Sequence, residues 1–170
     1  HAAQVRALFR HVADGFAGDG QAVHDQGVAR AGFRFVGQAG QGTKNWQFAS
    51  DAYEQAVKLD PKLYEANVRW GYLFMSKYNV PDAEKSFKDV LKYDMYHPDA
   101  WAGRAWVEWN AARPKKALGK KYANKALKTN PNHVEAMLYL AALAIYDSDY
   151  SHATKLVSRA LKVNPNHLRA

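Results

Sequence analysis

The chain has 170 residues, no cysteine and a formal net charge of +8. Without cysteine there is no disulfide, no thiolate nucleophile and no cysteine-based zinc site. Its 48% hydrophobic and 24% charged residues exclude general disorder, no apolar run nears the roughly 18 residues of a membrane span, and both cytoplasm and periplasm stay open for what reads as a soluble protein.

Residues 1–29 come first. Val5, Leu8, Phe9, Val12 and Phe16 share one helical stripe, which Gly15, Gly18, Asp19 and Gly20 bring to a stop. The stripe predicts a helix that caps, or forms half of a unit of, the array that follows. Arg6, Arg10 and His11 make its polar face too weakly basic for a helix lying on a membrane.

Two-helix units then recur to the end of the chain. Each is read as closed by a proline: Pro61, Pro98, Pro131 and Pro165, separated by 37, 33 and 34 residues. The units span about 30–63, 64–100, 101–133 and 134–168. The fourth shows the logic most clearly. Ala136, Leu140, Ala141 and Ala144 share a face of its first helix, and Asp147-Ser148-Asp149 breaks it. Ala153, Leu156, Val157, Ala160 and Leu161 repeat the pattern on its second helix, and Asn164-Pro165 ends it. One such hairpin cannot bury its own apolar face, so neighbours must stack. After Pro165 the segment NHLRA matches the helix-opening NHVEA after Pro131. The expectation is an array cut short there, with the face of Leu156 and Leu161 seeking a neighbour, by self-association if by nothing else.

This pattern resembles the tetratricopeptide repeat family, which places a small residue within its first helix, Ala-x-x-x-aromatic-x-x-Ala on its second, and a proline at the end. Unit one carries Gly37, Ala49, Tyr53, Ala56 and Pro61; unit two carries Gly71, Ala83, Phe87 and Val90, with three extra residues delaying Pro98. Unit four carries Ala141, Ala153, Val157, Ala160 and Pro165. Unit three is the weakest match: it has Gly119, Ala123, Ala126 and Pro131, but Val107-Glu108 falls where the small residue belongs. The resemblance implies an all-α, right-handed α-solenoid of antiparallel helix pairs. It also implies a non-catalytic scaffold that holds a peptide or protein in its concave groove.

The family's inward-facing pattern implies a groove of Arg34, Phe35, Gln38, Arg69, Tyr72, Trp106, Trp109, Tyr139 and Tyr146, some of whose rings belong to the core between repeats. One subgroup clamps the terminal carboxylate of chaperones. Its positions here hold Arg34, Gln38, Arg69, Ala102 and Trp106, or, one unit later, Val68, Tyr72, Trp106, Glu135 and Tyr139. Neither set makes that clamp.

Residues that carry enzyme chemistry are sparse. Gly37-Gln-Ala-Gly-Gln-Gly42-Thr43-Lys44 is a phosphate-loop pattern with its last two residues exchanged and no strand before it. His133-Val-Glu135 has the His-x-Glu of zinc deaminases without their cysteines, and Asn-His recurs at Asn166-His167 in step with the repeat, so His133 reads as turn punctuation. No cofactor and no metal ligand set is expected, although these repeats also fit the regulatory or targeting segment of a larger enzyme or secretion protein.

One surface feature stands apart. Between Trp109 and Val134 there is no acidic residue, while Arg113, Lys115, Lys116, Lys120, Lys121, Lys125 and Lys128 contribute +7. Such a patch suits an acidic protein, a nucleic acid or an anionic surface, if it is more than a solvated face. Only Tyr122 is interleaved among the lysines, which argues against single-stranded nucleic acid.

Overall fold

The computed structural model describes residues 46–167. The expected N-terminal helix, the first helix of unit one with Arg34, Phe35 and Gln38, and the glycine-rich segment 37–44 lie outside them. Seven helices occur among the described residues: α1 Trp46–Leu59, α2 Tyr64–Ser76, α3 Val80–Tyr93, α4 Pro98–Asn110, α5 Lys116–Thr129, α6 Val134–Tyr146 and α7 Tyr150–Val163. No strand occurs among these residues, and no helix there is long and apolar enough to cross a membrane. The chain divides into two compact units after Leu73.

In the first unit, α1 and the start of α2 close over Ala52, Tyr53, Ala56 and Ala66. The Trp70 indole donates to Ser50 Oγ at 3.0 Å, and burial pushes the Tyr53 hydroxyl up from its ordinary pKa. In the second unit α3 packs on α4, α4 on α5 and α6, α5 on α6, and α6 on α7.

The turns that end α1, α3, α5 and α7 are built alike. Asp60, Asp94, Asn130 and Asn164 each accept, on the side chain, the N–H two residues on, at 3.0 to 3.2 Å. Their carbonyls accept the N–H of Leu63, His97, His133 and His167. These Asx turns let a short polar side chain stand in for backbone. They recur 34, 36 and 34 residues apart. Proline follows the Asx residue in three of them, but Met95 takes its place in the second, and Pro98 opens α4 instead. The reading of Pro98 as a delayed terminator is therefore corrected: a proline suits the first turn of a helix as well as the residues past its end.

The extra length lies elsewhere. α2–α3 and α6–α7 are joined by three residues, with Tyr78 and Ser148 in the left-handed region (φ 58° and 61°). Asn79 and Asp149 then cap the next helices. The α4–α5 connection, Ala111–Lys115, is two residues longer. Counting through it shifted the third repeat. From the helix starts Tyr64, Pro98 and Val134, the small residues are Gly71, Ala105 and Ala141, all buried. The third repeat thus keeps its small residue, at Ala105 rather than at Val107-Glu108.

Its missing aromatic is replaced from the next repeat. Phe87 of α3 is fully buried where α4 offers Gly103, at which a Cβ would overlap the ring. One repeat on, the equivalent positions hold Ala123 on α5 and Tyr139 on α6, and Tyr139 is fully buried. A large side chain from one helix and a small one from its neighbour fill the gap in both places, with the donor exchanged. This keeps the density that helix packing requires.

Two histidines join successive repeats. His133 Nδ1 accepts the Ala136 N–H at 3.2 Å, so the proton of the neutral ring sits on Nε2, which donates to Asp99 at 3.0 Å. His167 Nε2 lies 3.2 Å from Glu135 in the same relation. His133 is turn punctuation as expected, and also a strut to the preceding repeat. Its hydrogen bond, aided by His97 at 3.8 Å, holds the Asp99 carboxyl below the usual carboxylate range. A depressed folded pKa stabilises the fold above the unfolded value and loses that contribution as pH falls through the folded one. The melting temperature should therefore drop more steeply from about pH 5 to 3 in the wild type than in Asp99→Asn. Parallel curves from both proteins would show that the pair contributes nothing.

Candidate functional site

Trp106 and Trp109 lie three residues apart on α4, and Tyr139 and Tyr146 seven apart on α6, so each pair shares a helix face. The four rings pack edge to face. Centroids are 6.3 Å apart for Trp106–Trp109, 5.4 Å for Trp106–Tyr139, 5.9 Å for Trp109–Tyr139 and 6.3 Å for Trp109–Tyr146. This geometry sets positive ring edges against negative faces. Lys116, the first residue of α5, places Nζ 2.8 Å from the Tyr146 centroid and 5.3 Å from that of Trp109.

The members differ in depth. Tyr146 is 64% exposed, and Ile145 beside it is 52% exposed. Trp106 and Trp109 are half-buried. Tyr139, expected to line a groove, is instead core. Its ring has no exposed surface, and its hydroxyl donates to the Lys116 carbonyl at 3.1 Å. It fits because Gly119 faces it, where a Cβ would overlap the hydroxyl. Burial, and behind it the Glu108 carboxylate, pushes the Tyr139 pKa up to about 12.

In the first unit, Arg69 is exposed and pairs with Glu65 at 3.0 Å, while Tyr72 is half-buried. Of the expected groove residues, the structure brings together Trp106, Trp109, Tyr139 and Tyr146.

The basic stretch occupies the α4–α5 loop and α5. Arg113, Lys115, Lys120, Lys121, Lys125 and Lys128 are exposed, and Lys116 is half-buried. Two of its cations lie on aromatic rings: Lys116 as above, and Lys125 with Nζ 3.8 Å from the Trp101 centroid. Arg104 sits 4.4 Å from the Tyr122 centroid and pairs with Glu84 at 3.6 Å. Sequence reasoning looked for aromatics between the lysines. The rings come from α4 and α6, seven to thirty residues away along the chain, where only packing reveals them. No group of three or more metal-ligating side chains occurs among the described residues.

Comparison with known proteins supports the architecture. No protein-family model matches the chain. No curated protein matches it either. Among solved structures, the thermophilic tetratricopeptide repeat protein TTC0263 of Thermus thermophilus is similar, with a TM-score of 0.69 and 14% identity over 81% of this chain and 75% of that one. MamA from Desulfovibrio magneticus RS-1 gives a TM-score of 0.58 and 14% identity over 98% and 97%. The first repeat domain of human RPAP3 gives 0.53 and 21% identity over 64% and 84%.

Proposed function

We propose, from a chain whose fold is that of the tetratricopeptide repeat, a non-catalytic role: a scaffold that holds a protein or peptide partner against the aromatic cluster of α4 and α6. The observation that carries this reading is Tyr146, a ring 64% exposed with a lysine ammonium over its face and the edge of Trp109 behind it. Folding alone has little use for an exposed ring beside an exposed isoleucine. A partner that covers them removes apolar surface from water and takes a preset cation as it does so. The half-buried indoles of Trp106 and Trp109 give that surface a firm floor. Large amphipathic rings on rigid helices lose little freedom on binding, which is why such residues dominate binding energies.

The test is retention of partners from a lysate of the source cells by the immobilised chain, followed by affinity measurement with each partner recovered. Tyr146→Ala should weaken binding by about 1–3 kcal/mol, roughly ten- to a hundredfold, with helix content unchanged because the ring is exposed. Trp109→Ala should act in the same direction. Unaltered affinity in both variants, at normal helicity, would place the partner elsewhere on the molecule.

A further inference from the structure

The turn between α3 and α4 departs from the other three at its most exposed positions. Where they carry Pro61-Lys62, Pro131-Asn132 and Pro165-Asn166, this one carries Met95-Tyr96, with the two side chains 61% and 66% exposed. The turn is held in place. Trp101 donates its indole N–H to the Met95 carbonyl at 2.8 Å, and the Tyr96 N–H is taken by the Asp94 side chain at 3.0 Å. Facing it, α5 brings up Lys125, Lys128 and Thr129. Together with Trp101 these residues enclose a cleft of about 320 Å³. That is the lower end of the range of ligand pockets, roughly 300–1,000 Å³. No carboxylate lines it, and its two charged residues are both lysines. Lys121 extends the cationic row one turn back along α5.

We propose that this cleft is a second binding site, which takes a short acidic peptide segment bearing one aromatic or long aliphatic anchor residue. The anchor enters between Met95 and Thr129 beside the Trp101 ring, whose face carries the Lys125 ammonium 3.8 Å from its centroid, while the flanking carboxylates meet Lys125, Lys128 and Lys121. Charge complementarity selects the acidic character: the α5 segment holds seven cations and no acid between Trp109 and Val134. The single cleft selects one anchor. A single-stranded nucleic acid would need successive stacking platforms along a basic groove. Here the two rings that line the cleft, Tyr96 and Trp101, belong to one pocket and do not continue as a row along the groove, and the nearby guanidinium, Arg104, is engaged by Tyr122 and Glu84. The site is separate from the cluster of the proposed function. Trp101 stands eight residues before Trp109 on α4, about 12 Å along the helix at 1.5 Å per residue.

The experiment uses a fluorescein-labelled pentapeptide of two glutamates on each side of a phenylalanine, read by fluorescence anisotropy with the whole chain. Replacing the phenylalanine of the probe by alanine, or its glutamates by glutamine, should each weaken binding about tenfold or more. So should the double variant Lys125→Glu/Lys128→Glu, and Thr129→Trp, which fills the cleft; all three positions are exposed, and circular dichroism checks that helicity holds. Affinity should fall as salt rises. Tyr146→Ala should leave this probe bound as before. The proposal is overturned if no saturable binding appears at millimolar peptide, or if Thr129→Trp binds like wild type. It is equally overturned if Tyr146→Ala abolishes binding, or if phosphatidylserine vesicles or a thymidine oligonucleotide bind more tightly than the peptide through the same lysines.

Discussion

Tyr139→Ala should lower the unfolding free energy by about 3–5 kcal/mol, the range for truncating a buried aromatic ring. The upper part of that range applies here for a specific reason. The buried residues clustered with the ring are Ala102, Ala105, Ala123, Ala126, Ala136 and Leu143, with Gly119 against its hydroxyl. Five of those six are alanines, too short to reach into the vacated space, so much of the cavity stays. Tyr139→Phe should cost less, about 0.5–1.5 kcal/mol, because it removes only the hydroxyl's hydrogen bond to the Lys116 carbonyl, which the first turn of α5 still engages. Urea unfolding followed by circular dichroism separates the two. The hydroxyl adds a signature of its own. Its folded pKa of about 12 exceeds the ordinary tyrosine value of about 10, so its stabilisation is complete below about pH 10 and is lost as pH rises toward the folded value. Tyr139→Phe should flatten that alkaline loss. Wild-type stability in Tyr139→Ala would mean that the ring is not part of the core.

The helical period and the all-α class were legible because each helix buries a stripe at regular spacing, and a period survives local errors. Two of those errors have physical causes. Pro98 misled because proline is tolerated at the start of a helix and favoured just past its end, and the spacing alone does not tell which. The Asx residue is the better marker: Asp60, Asp94, Asn130 and Asn164 make the same two hydrogen bonds whether or not proline follows. Ala105 was missed because two residues added to the α4–α5 loop move every position counted back from Pro131.

Within the site, Trp106, Trp109 and Tyr146 could be read from helical phase. Tyr139 shares that phase, yet its depth depends on the size of residues on two other helices, which phase does not report. The same holds for Lys116 and Lys125, whose rings come from elements packed beside α5. The cleft at Met95 did leave a trace: two large apolar side chains in a turn whose counterparts carry proline and a polar residue. An apolar pair in a solvent-facing turn costs hydration without adding to the core, and that cost is itself a sign of something to bind.

Phe87→Ala, the counterpart of the first substitution, should also cost about 3–5 kcal/mol, since Phe87 is fully buried over Gly103. What distinguishes the exchange of ring donors from ordinary packing is the sign of a second change. Gly103→Ala in the wild type drives a methyl group into the Phe87 ring and should destabilise by about 1–3 kcal/mol, the cost of overpacking. In the Phe87→Ala background the obstacle is gone. There the same methyl group fills part of the cavity and removes a mid-helix glycine, which alone costs about 1 kcal/mol relative to alanine. Gly103→Ala should then stabilise, and the double-mutant cycle should show a coupling of about 2 kcal/mol or more, well beyond the few tenths seen for independent sites. Additive effects would mean that α3 and α4 approach less closely at Gly103 than the structure shows. The sign reversal would show that this repeat and the next solve one packing problem with the large residue on opposite helices.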